Sequence, residues 1–183
     1  TAATNIRDWV NEGGVIIAIK GALNWISRNN LGALEFRRGE AQDLGRRPYQ
    51  KQEPDAGSNV IGGAIFEADL DITHPLGYGY RKSRIPVFRN STIFLEPAQN
   101  AYGTPLMYTE APLLSGYIND RNSKTISNSA SIVVSGTGSG RVICMTDNPN
   151  FRAFWYGTNK LFANAIFFGH TISSQTIDRP SRR

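Results

Sequence analysis

The sequence predicts an α/β fold built on a mostly parallel sheet, and three observations carry that expectation. Residues 4–12 place Ile6, Trp9 and Val10 on one helical face, and Gly13-Gly14 stops that helix. The run VIIAI at Val15–Ile19 is continuously apolar and mostly β-branched, the composition of a strand covered on both faces. A tight turn at Lys20-Gly21 then leads into a second helical start at residues 22–26. A helix followed by a buried strand and a helix is the pattern of a parallel sheet with helical layers. A strand of interior type so early in the chain also predicts a domain truncated at its N-terminus.

The first helix takes Thr4 or Asn5 as its cap. Residues 37–58 show no periodicity and are punctuated by Gly39, Gly45, Pro48, Pro54 and Gly57, which predicts a long irregular loop. Ala64–Leu70 reads as a strand. Residues 85–88 and 92–95 read as short strands around the turn at Arg89, Asn90 and Ser91, and Pro86 makes the first an edge strand. Residues 131–134 and 141–146 flank the glycine-rich stretch 135–140 (SGTGSG) as a strand–turn–strand hairpin. The last helix runs over residues 158–168 with Leu161, Phe162, Ala165, Ile166 and Phe168 as its apolar face. The domain therefore covers residues 1–170. A polar tail follows over 171–183 and is expected to fray.

Composition narrows the function classes. The 183 residues are 40% hydrophobic and 19% charged, which is globular composition with enough length for one core. No apolar run approaches the roughly 20 residues of a membrane span. The opening TAATNIRDWV has no basic and apolar leader, so any export signal would lie upstream. A net charge of +5 raises the question of nucleic acid. Its densest cations (Arg37, Arg38, Arg46, Arg47, Lys51, then Arg179, Arg182, Arg183) are interrupted by Glu40 and Asp43 and form no contiguous basic face, so no nucleic-acid partner is expected.

Catalytic constellations are incomplete. The two histidines, His74 and His170, lie far apart, and no zinc-binding pair of His and Glu or of Cys exists. Asp69, Asp71 and His74 are the weak candidate ligands for a metal, the two carboxylates sharing a strand face. The sharp turn after the first strand is where a nucleophile would stand, and it holds Lys20 and Gly21. The lone Cys144 sits within an apolar run and reads as a small buried hydrophobe. The glycine-rich stretch 135–140 leads into a strand, whereas a phosphate loop opens into a helix.

The richest segment is 147–156 (DNPNFRAFWY), which follows a buried strand and precedes a helix at a carboxyl edge of the sheet, where open α/β sheets bind ligands. It combines Asn148, Asn150 and Arg152 with Phe151, Phe154, Trp155 and Tyr156, a mixture typical of interfaces. The plainer expectation is that Phe151 and Phe154 fold inward while Arg152 pairs with Asp147. His74 and Tyr78 are secondary binding candidates.

Several of these stretches together resemble one family. They are residues 9–18 (WVNEGGVIIA), 63–71 (GAIFEADLD) with 73–79 (THPLGYG), 113–118 (LLSGYI), and 147–157 (DNPNFRAFWYG) with 161–165 (LFANA). The chain resembles the C-terminal class I glutamine amidotransferase-like domain of bacterial zinc carboxypeptidase-like proteins, of the carboxypeptidase A superfamily. The resemblance implies a flavodoxin-like three-layer sandwich. It also implies an exported, periplasmic or secreted parent whose zinc lies in an upstream peptidase domain, with that domain and its peptide substrate as partners. The family's ancestral fold used a Cys at the elbow, where this chain has Lys20-Gly21, so no amidotransferase or peptidase residue carries over. The expected role is a non-catalytic accessory domain. A small-molecule or carbohydrate-binding module and a cryptic metal-dependent hydrolase are the alternatives.

Overall fold

The computed structural model describes residues 1–40 and 45–180. Helix α1 (Ala2–Asn11) leads through Gly13, whose φ of +119° favours glycine, into β1 (Val15–Ile19) and then α2 (Ala22–Arg28). There follow β2 (Phe36–Arg37), α3 (Gln52–Ser58), β3 (Ala64–Leu70), β4 (Arg84–Arg89), β5 (Phe94–Leu95) and β6 (Leu106–Ser115). Helix α4 (Asp120–Ile126), β7 (Ala130–Ser135), β8 (Arg141–Met145) and α5 (Asn159–Phe168) complete the order.

One sheet runs β1-β8-β7-β6-β3-β4, with the short β5 and β2 attached through β7. Among the described strands only β1 and β8 form a parallel ladder; the other ladders are antiparallel, and a single parallel bridge joins Ser135 to Asp178. The expectation of a mostly parallel sheet is therefore corrected, and the fold is a mixed α/β sheet with helices. The reason lies in the connections. A parallel neighbour needs a helical crossover, whereas β7 and β8 are joined by the five-residue turn 136–140 and form the expected hairpin.

The core divides between the two faces of the sheet. Val10, Ala18, Leu23, Ile26, Val142 and Cys144 pack under α1 and α2. Ile143, Met145, Leu161 and Ala165 pack on the opposite face under α5, joined there by Phe66, Tyr108 and Ile132. Alternation along the strands produces this split, with Ala18 and Ile17 turned to opposite sides.

Other expectations change in detail. Thr1, not Thr4 or Asn5, caps α1, its hydroxyl accepting from the Thr4 amide at 3.3 Å. β1 has the predicted span but lies at the sheet edge, not in its interior. The predicted loop 37–58 contains a 3-10 turn at Tyr49–Lys51 and α3, where Pro54 sits in the first turn and no interior amide is lost. Residues 41–44 of that loop, Asp43 among them, lie outside the described residues.

β4 and β5 do not pair with each other. β4 joins β3 at the far edge, as Pro86 demands, and β5 joins β2 and β7. β6 and α4 were not anticipated. Pro112 and Glu110 mask β6, whose outer half runs beyond its pairing with β7, where a missing amide is tolerated.

The tail does not fray as expected within its described part. Ile172 and Ile177 are buried, and the Asp178 carboxylate accepts from the amides of Gln99 at 2.7 Å and Asn100 at 3.1 Å. Residues 181–183, including Arg182 and Arg183, lie outside the described residues. On α5 the buried set is Leu161, Asn164 and Ala165, while Ile166 and Phe168 face outward, so the predicted apolar face is only partly internal.

Candidate functional site

The carboxyl ends of β1 and β8 lie side by side, with Ile19 opposite Met145. Two connections leave this edge. The first is the elbow into α2, where Lys20 adopts a left-handed φ of 53° and its ammonium donates to the Asn90 Oδ1 at 2.9 Å. The sharp turn inferred from the sequence is thus present, and it presents an amine tied to a neighbouring loop. The Cys144 thiol lies within β8, where burial pushes its pKa up to about 12, so it is the inert hydrophobe expected.

The second connection begins at Thr146-Asp147 and rests on a buried polar network that no sequence motif marks. Arg89, at the end of β4, is 1% exposed. Its Nη1 donates to both Asp147 carboxylate oxygens at 3.0 Å and to the Thr146 hydroxyl at 3.1 Å, and its Nη2 donates to the Ile93 carbonyl. Tyr108 donates its hydroxyl to the same carboxylate. Burial first, and then the Asp147 charge, push the Tyr108 phenol well above its ordinary value. The guanidinium also lies over the Phe94 ring at 4.6 Å. The signal that could have found Arg89 is parity, since Ile85, Val87 and Arg89 alternate onto one buried face of β4.

Asp147 is therefore engaged below the surface, and it does not pair with Arg152 as expected. Asn148 is half-buried and its Oδ1 accepts from the Asn150 amide at 3.0 Å; Asn150 is exposed. Arg152 and Ala153 both adopt left-handed φ values, 50° and 54°. These conformations turn the loop outward. Phe151 stacks on Phe88 at 4.0 Å with an interplanar angle of 23°, Trp155 tilts over Phe88 at 6.1 Å, and the Arg152 guanidinium lies 5.3 Å from the Phe151 centroid. Phe154 is 58% exposed and Tyr156 74%, so Phe154 does not fold inward as expected. The indole N–H of Trp155 is enclosed without an acceptor. Asn148, Asn150, Arg152, Trp155 and Tyr156 thus share one outward loop.

His74 and Tyr78 are not part of it. His74 caps the 3-10 turn Pro75–Gly77, its Nδ1 accepting from the Leu76 amide at 3.1 Å while its Nε2 is enclosed without a partner. Burial lowers its pKa, and the Asp71 charge offsets only part of that. Tyr78 packs edge-on against Phe168 at 5.6 Å, at the carboxyl end of α5, whereas the loop leads into the amino end.

The candidate metal ligands also diverge. Asp69 pairs with Arg84 at 3.6 Å, and the Asp71 Oδ1 accepts from the Thr73 amide at 2.9 Å and hydroxyl at 2.6 Å. Among the described residues no group of three or more His, Cys, Asp or Glu side chains could hold a metal ion. The basic cluster is partly neutralised, with Arg37 bound to Glu96 and Arg47 to Asp55. None of the described helices is long and apolar enough to cross a membrane.

A second concavity lies away from this loop. An open, polar cleft of about 1460 Å³ runs between Arg7 and Arg28 on one side and Gly136, Thr137 and Asp178 on the other. It borders the turn that precedes β8 and so opens at the amino end of that strand, away from the carboxyl edge. At the carboxyl edge itself the space behind Asp147 and Asn148 is only about 10 Å³, with Met145, Thr158 and Leu161 among its lining residues. No family model, curated protein or solved structure matches the chain.

Proposed function

We propose that this chain is a non-catalytic accessory domain of a larger zinc carboxypeptidase-like protein, and that its 148–156 loop is a contact surface. The observation that carries the reading is the aromatic cluster on that loop. Phe151 and Trp155 are anchored on Phe88, while Arg152, Phe154 and Tyr156 project into solvent. Aromatic rings and arginine on a shaped support are what interface anchors are made of. Two successive non-glycine residues in the left-handed region cost about 1–2 kcal/mol each, a strain that functional loops retain. The elbow supports the non-catalytic part, because it holds Lys20 bonded to Asn90 where a nucleophile would stand.

The amidotransferase-like, flavodoxin-like ancestry belongs to the same proposal. It draws its support from β1, β8 and the helices on both of their faces. The zinc, the peptidase activity, the peptide substrate and an exported location belong to the parent protein in this reading. The proposed partner is the peptidase domain of the same polypeptide. Titrating that domain against this chain tests the idea: wild type binds saturably, and Trp155→Ala weakens binding. Equal affinity of wild type and variant would remove the support.

The cleft at the amino end of β8 favours a second reading, a small-molecule or carbohydrate-binding module, through its size and polar lining. A thermal-shift screen with sugars and peptides tests it, since a ligand bound only by the folded state raises the midpoint. No shift across the screen would dispose of it.

A further inference from the structure

β1 closes one side of the sheet with the attributes of an interior strand. Its ladder with β8 uses one parity: the Lys20 amide donates to the Met145 carbonyl at 2.9 Å, and the Gly14 carbonyl accepts from the Arg141 amide at 3.0 Å. Residues of a strand alternate in the side to which their backbone bonds. Ile16 and Ala18 therefore serve β8 as well, while Val15, Ile17 and Ile19 direct their N–H and C=O groups away from it. Among the described residues no strand lies on that side. The edge also lacks the usual guards: Val15–Ile19 holds no charge or proline, and its register with β8 runs without a bulge.

Both faces beside this edge are already roofed. On one face the Trp9 ring lies against Gly14, where an added Cβ would come within 2.5 Å of it, and Trp9 is still 52% exposed. On the other face Asn164 of α5 bonds the carbonyls of Leu76 and Tyr78, which follow β3. Phe162 and Ile166 stand two positions from Asn164 and so about 200° round the helix, on the flank away from Leu76 and Tyr78. Ile166 is 55% exposed. Burial falls from complete along β8 to partial at four of the five residues of β1, which is what a missing neighbour produces.

We infer that the free edge of β1 is a strand-addition site, and that its occupant is an extended segment, apolar on both faces, from a neighbouring part of the same polypeptide. An added strand completes the ladder through main-chain hydrogen bonds. Its side chains of one parity meet Trp9 and those of the other meet Ile166, so a strand alternating apolar with charged residues does not fit. The choice of source rests on the reading of the chain as one domain of a larger protein. The strand-addition site itself rests on β1 alone.

Amide exchange on the intact chain tests this. Alone, the amides of Ile17 and Ile19 exchange fast while those of Ile16 and Ala18 are protected. A synthetic peptide with a valine–isoleucine centre and lysines at both ends slows Ile17 and Ile19 by about tenfold or more. A peptide alternating valine with glutamate leaves them unchanged. Ile17→Pro removes one outward N–H without touching the bonds to β8, and it abolishes the effect of the apolar peptide. Should that variant fail to fold, the wild-type exchange pattern decides alone. The site is overturned if the apolar peptide protects neither amide or if both peptides act alike. The assigned occupant is overturned if protection rises with the chain's own concentration alongside a doubled mass, which makes a second copy the partner. None of these outcomes depends on the 148–156 loop.

Discussion

Arg89 and Asp147 meet beneath the carboxyl edge of the sheet, with one guanidinium nitrogen 3.0 Å from both carboxylate oxygens and neither side chain more than 5% exposed. Removing one partner of a buried pair strands the other charge away from water, at a cost of about 3–5 kcal/mol. Asp147→Ala therefore lowers the unfolding free energy by that amount, read as a lower urea midpoint with little change in slope. The double variant Arg89→Met with Asp147→Leu recovers most of the loss, because no charge is left unpaired. A single variant as stable as wild type would mean that water reaches this network.

His74 makes stability depend on pH. Its Nδ1 accepts the Leu76 amide and burial lowers its pKa from the ordinary 6.5, so the folded state holds it neutral. The unfolded chain then binds more protons as pH falls. The contribution is complete above 6.5 and is lost as pH drops from there through the lower folded-state value. His74→Asn keeps a capping side chain without the titration, and its stability is flatter across that window. Parallel denaturation series at neutral and mildly acidic pH read this directly; identical slopes for the two proteins would contradict it.

Asp178 ties the tail to the body of the domain. Its carboxylate accepts from the amides of Gln99 and Asn100, and its carbonyl accepts from the Gly136 amide at 2.9 Å. Asp178→Ala leaves two amides without their acceptor and costs about 1–2 kcal/mol. Limited proteolysis then cuts the tail near residues 173–176 faster than in wild type. Unchanged cleavage would show that Ile172 and Ile177 hold the tail unaided.

Much of the local structure was legible in the sequence, and the pairing was not. Val15–Ile19 and Ala64–Leu70 declare themselves as strands by composition, and the glycine-rich turn 136–140 declares a hairpin. Strand direction is decided by which partners the connections allow, and the parallel-looking VIIAI run has only one parallel neighbour. Arg89 was hidden because a buried arginine is defined by its partners Asp147 and Tyr108, which lie 58 and 19 residues away. The aromatic loop was legible as a mixture of residue types. That Phe154 turns outward while Phe151 stacks on Phe88 depends on the left-handed backbone at Arg152 and Ala153, which composition does not encode.

The proposed contact surface on the 148–156 loop is most directly tested by its two exposed rings, Phe154 and Tyr156. Both rings are mostly exposed and Phe154 makes one edge-on contact with Phe151 at 6.2 Å, so the double variant Phe154→Ala with Tyr156→Ala keeps an unfolding midpoint close to wild type. Calorimetric titration against the proposed partner, a zinc carboxypeptidase-like peptidase domain, is the measurement. Wild type is expected to bind saturably and the variant to lose about tenfold or more in affinity, as for anchor residues. Equal affinity for the two proteins, with both folded, would contradict it.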